Sequence, residues 1–415
     1  MNRPNLINEA PEDRQERLRI AAQLINDAIH PLWNLGRFSV LGWRVFDGGI
    51  EVATLATSLL LKLCKTADQY SSGARQMDDP RYQQACEIPG VHSSQITLPD
   101  SIGSGPGLIP PSLVNSVITR YSVTKTLHRA VGLFDIVGFS KNDPIEQVAQ
   151  LNSLEYSINI AHKRLRDIGL QINLARSTTG DGFYVWNRDT GLRADLASYL
   201  LVMLALADNA ISRERYGPEL APLLRVCFSV GSHYSYYQVE GLNPRGYDYI
   251  VGEVTISLAR MIDRCLPGQI LMGEFERPVA KGASMMNTIG FVEQATHLLQ
   301  RLKGMELSGG DIQNLSCYLT GEQIAPGCFN ISRLRIRDKH GFPHHAYNQK
   351  MNIVLAPRIA GGPGANLYLG MQQEAMKNCG AASVIGGEMA RSGEDENPPP
   401  VRDTAAASAR MNQRE

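Results

Sequence analysis

The spacing of apolar and polar residues changes period along the chain and divides it into three stretches. Residues 1–110 begin with a charged amphipathic run opened by Pro11, and Gly48-Gly49 separate it from a second segment that ends in the apolar VATLATSLLL (52–61). Both segments predict helix, so a helical N-terminal region is expected. PDSIGSGPGLIPPS (99–112) gathers Gly, Pro and Ser, the composition of a linker, and a domain boundary is expected there. Beyond Pro357 the chain turns to Gly, Ala, Pro and charge, as in GEDENPPP, which cannot bury a core. A disordered tail is expected over 358–415.

Between residues 121 and 357 the period alternates between two and about 3.6, as it does where strands and helices take turns. LHRAVGLFDIV (127–137) reads as a buried strand. Asp143, Pro144 and Glu146 then supply an N-cap, an N1 proline and a capping-box partner. The helix they open shows an apolar face of Ile145, Val148, Leu151, Ile158, Ala161, Leu165 and Ile168, and Gly169 ends it. LQINLAR and FYVW flank the tight turn TTGDG as a hairpin. A long helix from about Leu192, a strand at Arg225–Val230, a strand ending at Gly252, a helix over 253–265 and the strand QILMG follow. This order predicts an α+β fold with helices on one side of the sheet, a ferredoxin-like (split βαβ) core.

Composition narrows the partners. Lys+Arg and Asp+Glu each number 41, so no net field favours a nucleic acid or an anionic membrane. The seven cysteines include no CxxC pair, which argues against structural zinc or a disulfide framework and fits a reducing cytoplasm. No apolar leader with a cleavage site opens the sequence. The ten-residue run at 52–61 is too short for a bilayer, which needs about 20 apolar residues.

Two strings carry the chemistry. LFDIVGFS (133–140) ends an apolar strand on Asp135, and a buried strand seldom ends on a carboxylate without a partner or a metal. STTGDGFYVW (177–186) places Asp181 at a hairpin tip. Two such carboxylates meeting across strands suit Mg²⁺ or Mn²⁺, which take oxygen ligands together with substrate phosphates. The turn from Val137 to Ser140 offers backbone N–H groups, and the helix N-terminus after it is a second place for phosphate.

These strings, with RVCFSVGSHY (225–234) and YDYIVGEVTISLARMIDRCLPGQILMG (247–273), resemble the class III adenylyl and guanylyl cyclase family over about 230 residues. The separations of 46 residues from Asp135 to Asp181 and 79 from Asp181 to Arg260 fit it. The resemblance implies a nucleotidyl cyclase in which Asp135, Asp181 and the Ile136 carbonyl bind two Mn²⁺ or Mg²⁺ ions. It assigns Arg260 to transition-state charge, Lys339 to the triphosphate, and Phe134, Gly138, Phe139 and Ser140 to the nucleotide lining. It also implies a homodimer, in which the aspartates of one protomer face the arginine of the other.

The chain departs from the family where the base is read. Ser177 stands where adenylyl cyclases carry Lys and guanylyl cyclases Glu, and Tyr249 where they carry Asp, Thr or Cys. Ile256 replaces the ribose-orienting Asn, and Cys227–Ser229 the usual Gly-Ile-His. Losing the groups that read an adenine edge weakens selection for ATP. In this the chain looks like the pyrimidine cyclases of bacterial Pycsar antiphage systems, which make cyclic UMP or cyclic CMP for an effector reached through the product. An adenylate or guanylate cyclase and a weak, cyclase-like nucleotide-binding module remain open readings.

Overall fold

The computed structural model describes residues 11–46, 49–62, 68–71, 75–99, 109–238, 247–280, 284–321, 323–325, 328–337, 342–357, 364–371, 384–389 and 401–402. The chain divides into two units, Met1–Thr126 with His233–Val251, and Leu127–Ser232 with Gly252–Glu415.

In the first unit α1 (Pro11–Trp33) leads into β1 (Phe38–Phe46) and β2 (Gly49–Ala56). The short helices α2 (Thr57–Lys62) and α3 (Asp68–Ser71), then α4 (Asp79–Cys86), β3 (Val91–Thr97) and α5 (Pro111–Ile118), complete it. The strands form an antiparallel sheet in the order β1-β2-β3. This corrects the helical reading of VATLATSLLL, whose first five residues are strand. Ile50 and Val52 of β2 join a core cluster with α1 and α5 residues. Ala53 and Leu55 join a second cluster with residues of α3 and α4. A central strand buried on both faces shows no regular alternation, here with the polar Glu51 and Thr54 buried on opposite faces, and periodicity cannot then tell it from a helix.

The second unit opens on β4 (Thr124–Ile136), whose first residues belong to the first unit, and continues through α6 (Pro144–Asp167), β5 (Leu174–Thr178), β6 (Gly182–Asn187), α7 (Leu192–Tyr216) and β7 (Leu224–Gln238). The end of β7 pairs with β8 (Tyr247–Val251) in the arm that belongs to the first unit. Then come α8 (Glu253–Ile262), β9 (Ile270–Gly273), β10 (Glu276–Pro278), β11 (Met285–Asn287), α9 (Thr288–Leu299), β12 (Glu306–Leu307) and β13 (Gly310–Thr320). The remaining elements are β14 (Gln323–Ala325), β15 (Cys328–Phe329), β16 (Ser332–Arg337), β17 (Pro343–Leu355), β18 (Ala365–Leu369), β19 (Val384–Met389) and β20 (Val401–Arg402).

The main sheet runs β12-β13-β17-β9-β7-β4-β6-β5. Its segment β7-β4-β6-β5 is the strand order of a ferredoxin-like βαββαβ unit, as expected from the sequence. The 358–415 stretch contributes strand where it is described: β18 pairs with β17 and β19 with β16, so the hydrogen-bonded sheet extends past Pro357.

Alternation along the strands sorts the two faces of this sheet. Ala130, Phe134 and Ile136 of β4, Val226, Phe228 and Val230 of β7, and Met272 of β9 point into one core with α6, α7 and α9. Their neighbours Leu133, Asp135, Arg225, Cys227 and Ser229 take the opposite face, which α8 covers. Thus Gly231 lies against Val254, and Gly273 against Ser229 and Met261. α7 is the one described helix long and apolar enough to cross a membrane, yet 94% of that stretch is buried within the fold. It is the core helix expected.

α6 keeps the capping box, with Asp143 N–H donating to Glu146 at 3.2 Å. Its buried stripe is Leu154, Ile158, Ala161 and Leu165. Ile145 lies half a turn round from Leu154 and is 85% exposed, and Val148 and Ile168 are also exposed, so the predicted apolar face is too long at both ends.

Candidate active site

β4 carries Asp135 to its last turn, and the start of β6 pairs Gly182 directly opposite it. The Ile136 N–H donates to the Asp181 carbonyl at 2.9 Å, so the two aspartates belong to hydrogen-bonded neighbouring segments. The hairpin tip is held by its own side chains: Thr179 Oγ1 donates to Asp181 Oδ1 at 3.2 Å, and Gly180 N–H to Thr178 Oγ1 at 3.1 Å. Gly182 has no room for a side chain, because a Cβ there would stand 1.9 Å from the Phe134 carbonyl oxygen.

Asp135 is 7% exposed and meets the guanidinium of Arg225, whose Nε donates to Oδ2 at 2.7 Å and whose Nη2 lies 2.5 Å from the same oxygen. Burial pushes the Asp135 carboxyl above its ordinary range. Arg225 pulls it back in part, and the charges of Asp181 and Asp263 push it further up. The sequence motifs do not single out Arg225, although it opens the RVCFSVG strand. Alternation groups it with Cys227 and Ser229 on one face of β7, and the sheet shows that this is the face Asp135 occupies on β4.

The residues present fit a divalent cation. Asp135 and Asp181 are oxygen donors on neighbouring segments, and each negative charge raises the cost of the other. Asp135 is buried with Arg225 as its present counter-charge, a place where a hard cation could add to or replace the guanidinium. Among the described residues no cluster of three or more His, Cys, Asp or Glu side chains could hold a metal. The carboxylates of Asp135 and Asp181 are the side-chain oxygen donors that a cation could use here.

The other expected residues divide. Gly138, with φ +73°, makes the turn, and it and Ser140 are exposed. Phe139 packs partly on the core. The Phe134 side chain is fully buried among core residues, on the face of β4 turned away from Asp135, so it is the backbone of Phe134 and not its ring that lies beside the site. Of the turn's backbone donors, Val137 N–H is taken by the Leu223 carbonyl at 2.9 Å, which corrects the expectation that all of them are open.

Arg260 lies on α8, half-buried, with Nη1 3.8 Å from Asp263 Oδ2. Ser177 is half-buried and pairs directly with Tyr184 across the β5–β6 ladder. Ile256, where the family carries asparagine, is 54% exposed. Tyr249 lies on β8, in the arm grouped with the first unit. Lys339 lies outside the described residues.

No protein-family model matches the chain, and no curated protein matches it. Solved structures that it resembles include the guanylyl cyclase Cya2, at 13% identity and TM-score 0.32, over 58% of this chain and 97% of that one. The adenylyl cyclase CyaB from P. aeruginosa gives 14% identity and TM-score 0.32, over 57% and 98%. The guanylate cyclase domain of RhGC from Catenaria anguillulae, solved in complex with GTP, gives 12% and 0.33, over 57% and 100%.

Proposed function

We propose that the second unit is a class III-type nucleotidyl cyclase that closes a pyrimidine nucleoside triphosphate, UTP ahead of CTP, to its 3′,5′-cyclic monophosphate with release of pyrophosphate. The observation that carries this reading is the juxtaposition of Asp135 and Asp181, since Asp135 pairs with Gly182 across the β4–β6 register and Ile136 N–H donates to the Asp181 carbonyl, with Arg225 on Asp135. Two Mg²⁺ or Mn²⁺ ions held by Asp135, Asp181 and the Ile136 carbonyl would supply the charge that activates the ribose 3′-hydroxyl and clamps the triphosphate. The hairpin fixes the two carboxylates to the sheet, so that little rearrangement is needed for in-line attack on the α-phosphorus. Arg260 neutralises charge on the phosphoryl group, and Lys339 holds the β- and γ-phosphates.

The pyrimidine assignment rests on Ser177 and Tyr249, which stand where the family carries Lys or Glu and Asp, Thr or Cys to read a purine edge. The active species in this reading is a cytoplasmic homodimer with two sites. Its product serves as a second messenger in antiphage defence and reaches its effector by diffusion.

Incubating the purified protein with each of the four nucleoside triphosphates, with Mn²⁺ or Mg²⁺, tests it by chromatography of the products. Cyclic pyrimidine nucleotide that disappears in Asp135→Ala and Asp181→Ala is the expected result. Cyclic AMP or GMP alone would overturn the base, and no product the reaction. The exposed Ile256 favours one other reading, a nucleotide-holding module with little turnover, which nucleotide binding without product would reveal.

A further inference from the structure

We infer that Tyr184 is a base-selecting and positioning residue of this site, an inference that rests on the cyclase reading above. The β5–β6 register sets Tyr184 directly opposite Ser177, and the β4–β6 register sets it opposite Leu133, two residues before Asp135. All four therefore share the face of the sheet that α8 covers. The Tyr184 hydroxyl donates to the Thr255 carbonyl, in the first turn of α8, at 3.3 Å. That turn is itself pinned, because Thr255 Oγ1 donates to the Gly252 carbonyl at 3.0 Å and accepts from Gly252 N–H at 3.2 Å. Burial raises the Tyr184 pKa, so the hydroxyl keeps the proton it donates.

One ring on β6, the neighbour of the strand bearing Ser177, thus ties that hairpin to the helix that, five residues on, bears Arg260. Ser177 is small, which leaves Tyr184 as the bulky side chain directly beside the base-reading position. The second ring of a purine needs the volume this ring holds by its bulk. A pyrimidine does not. The same tether fixes the spacing between the base-reading strand and Arg260, which couples the choice of base to turnover.

Two substitutions separate these roles. Tyr184→Ala removes the ring and should raise kcat/KM for ATP or GTP, relative to UTP or CTP, by about tenfold or more. Tyr184→Phe keeps the ring and loses the tether: the base ratio should hold within roughly threefold while kcat falls alike for every nucleotide. A purely structural role would lower all activities without moving the ratio. Should Tyr184→Ala fail to fold, Tyr184→Val, suited to a strand, carries the same test. Equilibrium binding of the 3′-deoxynucleoside triphosphates, which lack the attacking hydroxyl, reads the selectivity without turnover. A folded Tyr184→Ala or Tyr184→Val protein with the wild-type ratio in both measurements overturns the inference while leaving the cyclase reading intact. A wild-type protein that neither binds nor cyclises any nucleotide overturns both.

Discussion

Adding one methyl group at Gly182 tests whether the two aspartates are held by backbone register. The Cβ of alanine would stand 1.9 Å from the Phe134 carbonyl oxygen, 2.8 Å from its carbonyl carbon and 3.1 Å from Asp135 Cα. Real Cβ atoms essentially never approach closer than 3.0 Å, and all three neighbours are backbone with no rotamer to escape into. The start of β6 must therefore move from the end of β4 by about 1 Å, at the step where Ile136 N–H meets the Asp181 carbonyl. Overpacking of this kind costs about 1–3 kcal/mol of stability. An ångström of misplacement between catalytic groups costs on the order of 100-fold in rate.

The control is Gly132→Ala on the same pair of strands. Its added Cβ would lie 2.4 Å from Val202 Cγ2, a side chain on the helix-covered face, where repacking relieves the clash without moving Asp135. Turnover per folded molecule should fall about 100-fold in Gly182→Ala and less than about threefold in Gly132→Ala, although thermal melting shows both to be destabilised. Equal losses in the two variants, or wild-type turnover in Gly182→Ala, would refute the reasoning from register.

Other expectations follow from buried charge. Removing the guanidinium from Asp135 in Arg225→Met should tighten Mn²⁺ binding, read by calorimetry without nucleotide, by roughly 5–10-fold, because a competing cation leaves the carboxylate. Asp195, which accepts from Ala130 N–H at 2.8 Å and pairs with the buried Arg277, should cost about 3–5 kcal/mol in denaturant unfolding when replaced by Ala, since a buried cation is then orphaned. Asp208 is fully buried, and burial raises its pKa, against the pull of the Ser308 hydroxyl that donates to it at 2.7 Å. A carboxyl whose folded pKa lies above its unfolded value binds its proton more tightly when folded, so its penalty is present above the folded pKa and relieved as pH falls through it. Asp208→Asn should therefore melt at a higher temperature than the wild type at pH 8, with the gap closing toward pH 4. A gap that does not vary with pH would count against this.

What the sequence made legible follows from what surrounds each residue. The βαββαβ core could be read because its strands and helices each have one wet or lightly covered side, so the period survives, and because Asp143 and Glu146 mark where α6 begins. β2 could not, because packing on both faces buries even Glu51 and Thr54, which fall on opposite faces and so set up no alternation, and a mostly apolar run fits helix equally well. In the site the same alternation cuts both ways. Asp135 is conspicuous as a charge among apolar residues, whereas Phe134 is conspicuous only as part of a motif, and its parity on β4 sends it into the helix-covered core. Arg225 and Tyr184 were overlooked for the opposite reason. Neither is unusual beside its sequence neighbours, and their importance comes from register, which pairs Tyr184 with Ser177 and sets Arg225 against a carboxylate 90 residues earlier. Motif spacing locates groups that act from fixed points along one strand. Groups that meet across strands become visible only when the ladder is known, and the ladder here joins Asp135 and Ser177 through the single strand β6, whose Tyr184 reaches the helix that bears Arg260.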